Sequence, residues 1–322
     1  MIVRGLIGCG LLASLVLAMT GCGGTDAGTG AGVEKAQITV GTAAVPAAAP
    51  LHIALKRGFF ADEGLTVKVE TIQTAQAAMP KILRENIDIF SASYAGFVSI
   101  QASKTADLKI LADATRSAPG TSAVVVPADS AIAKPQDLRG KKVGVNSLKS
   151  LGQLMVERHL KDAGLSSGEV TFVPVPFGEQ LGAMKTGKVD AMLMIEPLIS
   201  GAKADGARTV IDTTAGPTQG LPSEGWFTTA QWAGKYPKTL AAFQRALAKG
   251  QQVAASDRAA VIEIIPTYVK QLSKEVVSAM AMPVYPAAAD PAQVQRVADL
   301  MKEFGYVTQP VDAASAVVKP GG

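Results

Sequence analysis

Apolar residues along this chain fall into two rhythms. Short runs alternate every second residue, and longer stretches repeat every three or four. Residues 38–40 (ITV) predict a strand, and after a Pro/Ala loop residues 51–57 predict a helix that stops at Gly58. Residues 65–69 alternate as a strand, 74–84 are helical with Asn86 as a left-handed stop, and 87–90 are a strand. A helix over 95–103 and a strand over 108–112 complete the set. This β-α-β-α-β order predicts a mostly parallel sheet with helices on both faces.

The order then recurs. Strands are predicted at 142–145, 170–173, 189–194 and 208–211, with helices at 151–163, 179–185 and 197–204. Leu151, Leu154, Met155 and Leu160 share one face of the first of these helices, which ends at Gly164. Gly58 and Gly164 close equivalent helices, and Asp88 and Asp190 occupy equivalent, exposed strand starts. From Tyr236 helix dominates. Pro237 opens a helix to 255, Asp257 caps another to 265 that Pro266 interrupts, and Asp290-Pro291 opens a third to 304. Residues 122–126 and 225–229 read as crossings between two lobes. Lobe I is then 36–123 plus 228–322, and lobe II is 124–227. Two crossings make a two-segment hinge beside a cleft.

Composition narrows the functional classes. The 322 residues are 48% hydrophobic, enough for a large core, and only 18% charged, which excludes a disordered chain. The formal net charge of +4 is dispersed, with no basic block interleaved with aromatics, so nucleic acid is not an expected partner. Two Cys and two His exclude a Cys/His zinc site and a disulfide scaffold, and no metal or cofactor is expected.

Residues 1–21 read as an address. Arg4 supplies a positive start, and the apolar stretch over 5–18 is too short for a comfortable bilayer span. Met19-Thr20-Gly21-Cys22 resembles the bacterial lipobox, which implies that Cys22 becomes a lipid-bearing N-terminus. Cys9 would leave with the leader, so acylation gives the remaining cysteine a purpose. Two acyl chains anchor far better than one, at about 0.8 kcal/mol per buried CH₂. The Gly/Thr/Ala-rich stretch that follows reads as a flexible tether over 22–35.

Ile38-Thr39-Val40-Gly41, Pro50-Leu51 and Lys56-Arg57-Gly58-Phe59-Phe60-Ala61-Asp62-Glu63-Gly64-Leu65 resemble the opening of ABC-transporter solute-binding proteins. The subgroup is the nitrate/sulfonate/taurine type, related to binders of thiamine pyrimidine precursors. Asp137-Leu138-Arg139-Gly140-Lys141-Lys142-Val143 and Val189-Asp190-Ala191 with Glu196-Pro197 are similar to its second-lobe elements. Met194-Ile195 departs from the family by lacking an aromatic before Glu196. The resemblance implies a type II periplasmic-binding-protein fold in the α/β class. It also implies a monomer on the extracytoplasmic face that captures a small organic anion or zwitterion and serves a membrane permease. A thiamine-precursor-like heterocycle is the alternative ligand, and a pyrimidine-forming enzyme on the same scaffold is the alternative class.

Strand-to-helix loops carry the candidate binding residues, because helix N-termini offer free N–H groups and partial positive charge. Pro46 stiffens the first loop. In the second, Ser91 and Ser93 offer hydroxyls, Ser93 also suits a helix cap, and Tyr94 offers a ring face, a hydroxyl or packing. Ser147, Lys149 and Ser150 suit a sulfonate, carboxylate or phosphate, at the position of the family's ligand loop. Glu196 can pair with an amine or ring N–H, although a carboxylate at a helix start is favourable by itself. Arg116 can face an anion or solvent, and Phe177 and Trp226 can wall a cleft or fill a core.

Enzyme signatures fail. Gly182 to Lys188 has P-loop spacing, but Val189 stands where Ser or Thr must hold magnesium, and the helix precedes the strand. His52 and His159 are isolated. The pyrimidine-forming relatives use a Cys-rich segment that this chain lacks.

Overall fold

Ten strands pair into two five-stranded sheets in the computed structural model, which describes residues 32–319. The expected leader, Cys22 and most of the expected tether lie outside the described residues. The first stretch of chain supplies β1 (Gln37–Thr42), α1 (Ala49–Lys56), α2 (Phe59–Asp62), β2 (Thr66–Thr71), α3 (Ala75–Leu83), β3 (Ile89–Ser93), α4 (Tyr94–Ala102) and β4 (Leu108–Arg116). The second supplies β5 (Ser122–Val126), β6 (Lys142–Val145), α5 (Leu151–Asp162), β7 (Thr171–Pro174), α6 (Gln180–Lys185), β8 (Ala191–Ile195), α7 (Leu198–Ala204) and β9 (Arg208–Asp212). Then follow β10 (Pro222–Thr229), α8 (Ala230–Lys235), α9 (Pro237–Ser256), α10 (Arg258–Tyr268), α11 (Lys274–Ala279) and α12 (Pro291–Glu303).

The sheets share one topology. The first runs β2-β1-β3-β10-β4 and the second β7-β6-β8-β5-β9. In each, three strands pair in parallel and one antiparallel strand is inserted next to an edge: β10 in the first, β5 in the second. Each inserted strand has just arrived from the other sheet. The expected crossing segments are therefore strands. The chain leaves the first sheet between Arg116 and Ser122 and returns between Asp212 and Pro222, and the lobe boundaries move accordingly. The first, Ser122–Val126, is apolar because a sheet strand covered on both faces has no solvent side, not because it bridges.

Helices cover both faces of each sheet. On β10, Trp226 points to a cluster with Phe60, Phe243 and Leu247, while its neighbour Phe227 points to Phe90, Phe97 and Val297. The two-residue strand period produces that split. In the second sheet Val143 and Leu193 face Val156 and Leu160, while Met192 and Met194 face Ala183 and Ile199. Where α9 crosses α1 the backbones nearly touch. A Cβ on Gly250 would lie 2.2 Å from the Pro50 carbonyl oxygen.

Several local expectations shift. Asp88 is buried, not exposed. It accepts from Thr39 N (2.8 Å), Trp232 Nε1 (2.7 Å) and Lys35 Nζ (2.6 Å). Asp190, which stays exposed, accepts from Lys142 N at 2.8 Å. Both carboxylates thus fasten the start of the neighbouring strand, and the repeat between the halves extends to this hydrogen bond. The left-handed residue after α3 is Glu85 (φ 56°), not Asn86. Pro266 lies inside α10, whose last turn continues to Tyr268. The apolar stripe of α5 is divided: Leu160 faces the second sheet, but Leu151, Leu154 and Met155 join the first sheet's cluster with Ile72 and Val294. One helix therefore packs on both halves.

Candidate functional site

A cavity of about 660 Å³ opens between the sheets. Strand-to-helix loops from both halves reach it. Val45 and Pro46 precede α1, and two tyrosines fix their carbonyls: Tyr268 donates to Val45 O (3.2 Å) and Tyr285 to Pro46 O (3.1 Å). Thr74 caps α3 by accepting from Ala77 N at 3.2 Å, and Ser93 caps α4 by accepting from Gly96 N at 3.2 Å. Ser91 shares a 2.7 Å hydrogen bond with Thr42. From the other half, Ser150 caps α5 by accepting from Gln153 N at 3.2 Å. Lys149 takes a left-handed backbone (φ 56°), held by its own N–H on Gln153 Oε1 at 2.8 Å. Its side chain is exposed. Four helix starts and a ring of hydroxyls converge on this cavity, an arrangement able to hold an anion without a full counter-charge.

The charged groups on the wall differ in how they are engaged. Arg116, at the end of β4, donates through Nε to buried Asp113 at 2.8 Å and through Nη2 to Ala288 O at 3.3 Å. Burial holds the Asp113 carboxyl above its ordinary value, although Arg116 and the Tyr94 hydroxyl both act to lower it. Glu196 accepts from Ser200 N (3.2 Å) and Ser200 Oγ (2.9 Å). It also accepts from Ala281 N at 3.3 Å, a bond that spans the two halves. The Glu196–Pro197 peptide is cis.

Nine of the eleven expected ligand residues line the cavity: Pro46, Ser91, Ser93, Arg116, Ser147, Lys149, Ser150, Phe177 and Glu196. Phe177, 45% exposed, is the one aromatic ring among the lining residues. The other two are in the core. Tyr94 is 0% exposed, packed edge-on against Phe97 and Phe227, and its hydroxyl donates to Asp113. A helix's first residue can face the sheet it leaves, and Tyr94 does so. Trp226 is 0% exposed and lies edge-on to Phe243, because it falls on the covered face of an internal strand.

Sequence reasoning missed Glu224. It lines the cavity from β10, half-buried, and burial pushes its carboxyl up to about 7. The pairing of β10 with β4 is irregular on both sides of Glu224, and such bulges re-aim side chains. Gly225 follows because a Cβ there would sit 2.9 Å from the Tyr94 ring and hydroxyl. A lone carboxylate in the run Pro222-Ser223-Glu224-Gly225-Trp226-Phe227 was the available signal.

Residues 45–260 match the family model described as NMT1/THI5 like, which covers more than half of the chain. The chain belongs to the NMT1/THI5-like family. No curated protein sequence matches it. Among solved structures, it is similar to the periplasmic aliphatic sulphonate binding protein SsuA of Escherichia coli, with TM-score 0.75 and 18% identity over 89% of this chain and 93% of that one. It is also similar to the alkanesulfonate-binding protein SsuA of Xanthomonas axonopodis pv. citri bound to MOPS, with TM-score 0.72 and 22% identity over 89% and 99%. The periplasmic nitrate-binding protein NrtA of Synechocystis PCC 6803 matches with TM-score 0.70 and 17% identity over 88% and 85%. At such identities the likeness establishes the fold: two lobes of the periplasmic-binding-protein type. Among the described residues no group of three or more His, Cys, Asp or Glu side chains is placed to hold a metal ion, and no helix is long and apolar enough to cross a membrane.

Proposed function

We propose that this NMT1/THI5-like chain is the extracytoplasmic solute-binding subunit of an ABC importer, a monomer anchored to the membrane by lipid on Cys22. It captures a small organic anion or zwitterion, alkanesulfonate- or taurine-like, and presents the closed form to the permease. The observation that carries this reading is the cavity of about 660 Å³ onto which helix starts and hydroxyls of both halves converge. Ser91, Ser93 and Pro46 contribute the wall of lobe I, and Ser147, Lys149, Ser150, Glu196 and Phe177 that of lobe II. Arg116, held by Asp113, adds a fixed positive charge. The hinge runs through residues 117–121 and 213–221. A solute touching both walls stabilises the closed state by contacts that the open state lacks.

This reading assigns binding and delivery to the protein, with no turnover. A heterocyclic ligand needs a ring to stack on, and Phe177 alone offers one on the cavity wall. Thermal-shift measurement with alkanesulfonates, taurine, nitrate and an aminopyrimidine tests the ligand class. A ligand at about 100 times its Kd adds about 2.7 kcal/mol of stability. Stabilisation by sulfonates supports the reading, whereas a shift from the pyrimidine alone reverses it. Labelling with radioactive palmitate in a bacterial host, lost in Cys22→Ala, tests the anchor.

A further inference from the structure

The charged side chains on the cavity wall are Arg116, Lys149, Glu196 and Glu224. Arg116 is paired with Asp113, Glu196 is bonded to Ser200 and Ala281, and Lys149 reaches solvent. Glu224 is the one that is neither paired nor exposed: among the described residues it forms no ion pair and no side-chain hydrogen bond, and burial is the one influence on its carboxyl. Its near neighbours are already engaged. Ser93 caps α4, the Thr115 hydroxyl bonds Ser223, and the Tyr268 hydroxyl, close enough to feel the charge of Glu224, donates to Val45 O. A half-buried carboxylate facing a cavity without a donor is costly in the empty protein, and a donor on the ligand removes that cost.

The opposite wall has the complementary character. Ser147, Ser150, Lys149 and the start of α5 offer hydrogen-bond donors and positive charge to an anionic head. We propose that Glu224 is the specificity-determining residue of the cleft, accepting a hydrogen bond from a protonated amine on the solute. The site then takes short aliphatic zwitterions, with a sulfonate or carboxylate at one end and an ammonium at the other, in preference to simple anions. This rests on the solute-binding reading above and makes it more specific.

Taurine and 1-propanesulfonate form the decisive pair, because they match in length and differ in an ammonium replaced by a methyl group. Isothermal titration of the full chain at pH 8 is expected to give taurine an advantage of about 10- to 100-fold, the worth of one charge-assisted hydrogen bond. Glu224→Gln removes that advantage while 1-propanesulfonate binds as in the wild type or more tightly, which also shows that the variant is folded. Glu224→Asp keeps a reduced preference for taurine. Equal affinities in the wild type, or a preference unchanged in Glu224→Gln, overturns the role of Glu224 and leaves the cleft reading standing. Absence of binding by any sulfonate or amine overturns both.

Discussion

Glu224→Gln is expected to stabilise the empty protein at pH 8 and to leave it nearly unchanged at pH 4. Burial lifts the Glu224 carboxyl from its ordinary 4.5 to about 7. The folded state therefore holds its proton more tightly than the unfolded state does. A raised acid contributes stability that is fully present below pH 4.5 and is lost as the pH rises through 7. At 1.36 kcal/mol for each tenfold change in proton affinity, the loss is at most about 3 kcal/mol, and less to the extent that cleft water solvates the exposed side of the carboxylate. Glutamine keeps the shape and never ionises. The assay is urea unfolding of both proteins at intervals from pH 4 to 8.5, without ligand. The two stability curves should coincide near pH 4 and separate by about 1–3 kcal/mol above pH 7.5. Tyr268 ionises only far above this range, and the raised Asp113 carboxyl is present in both proteins, so neither supplies the difference between them. A separation that does not change with pH would refute the claim that Glu224 lacks a partner in the empty cleft.

Other perturbations test the frame around the site. Gly250→Ala places a Cβ against the Pro50 carbonyl, so α9 must move from α1; a loss of about 1–3 kcal/mol or more is expected in the urea midpoint, and a neutral result would show that the crossing is looser than described. Leu154→Ala, at a fully buried position of α5 in the first sheet's cluster, should cost about 2–5 kcal/mol and loosen the contact between the halves, seen as faster amide exchange in both α5 and α12. Ser150→Ala removes the cap of α5 at a cost of about 1 kcal/mol and should weaken sulfonate binding, measured by titration calorimetry. Burial lowers His52 to about 4 while it stacks on Tyr268 at 3.9 Å. The wild type therefore loses stability as the pH falls from 6.5 to 4, and His52→Phe should abolish that component of the acid titration.

The alternation of short strands with amphipathic helices made most of the fold legible. Gly58 and Gly164 mark equivalent positions with left-handed backbones, φ 76° and 77°, and Asp88 and Asp190 mark equivalent strand starts. The crossings were misplaced because an apolar run reports that a segment is covered, not which sheet covers it. Ser122–Val126 is apolar as an inserted strand, Pro222–Thr229 is an inserted strand too although it carries Ser223, Glu224 and two threonines, and the links beside them carry little pattern. Hydroxyls at helix starts were readable because capping places them there by local rules, and those rules also bring Ser93 and Ser150 to the cavity. Tyr94 and Trp226 stayed open between cleft and core, and Glu224 was not readable. Which way an aromatic points from an internal strand or a helix start depends on the second layer of packing. Glu224 is directed by a bulge between strands more than a hundred residues apart, which no local pattern records.

The most direct test of the account is a crystal structure of the chain with the tightest-binding sulfonate found in the titrations. The account predicts density for one solute between the sheets, its anionic head at Ser147 and Ser150 and its other end directed at Glu224, with the two halves drawn together over it. Density outside this cleft, or a solute touching one half only, would contradict it.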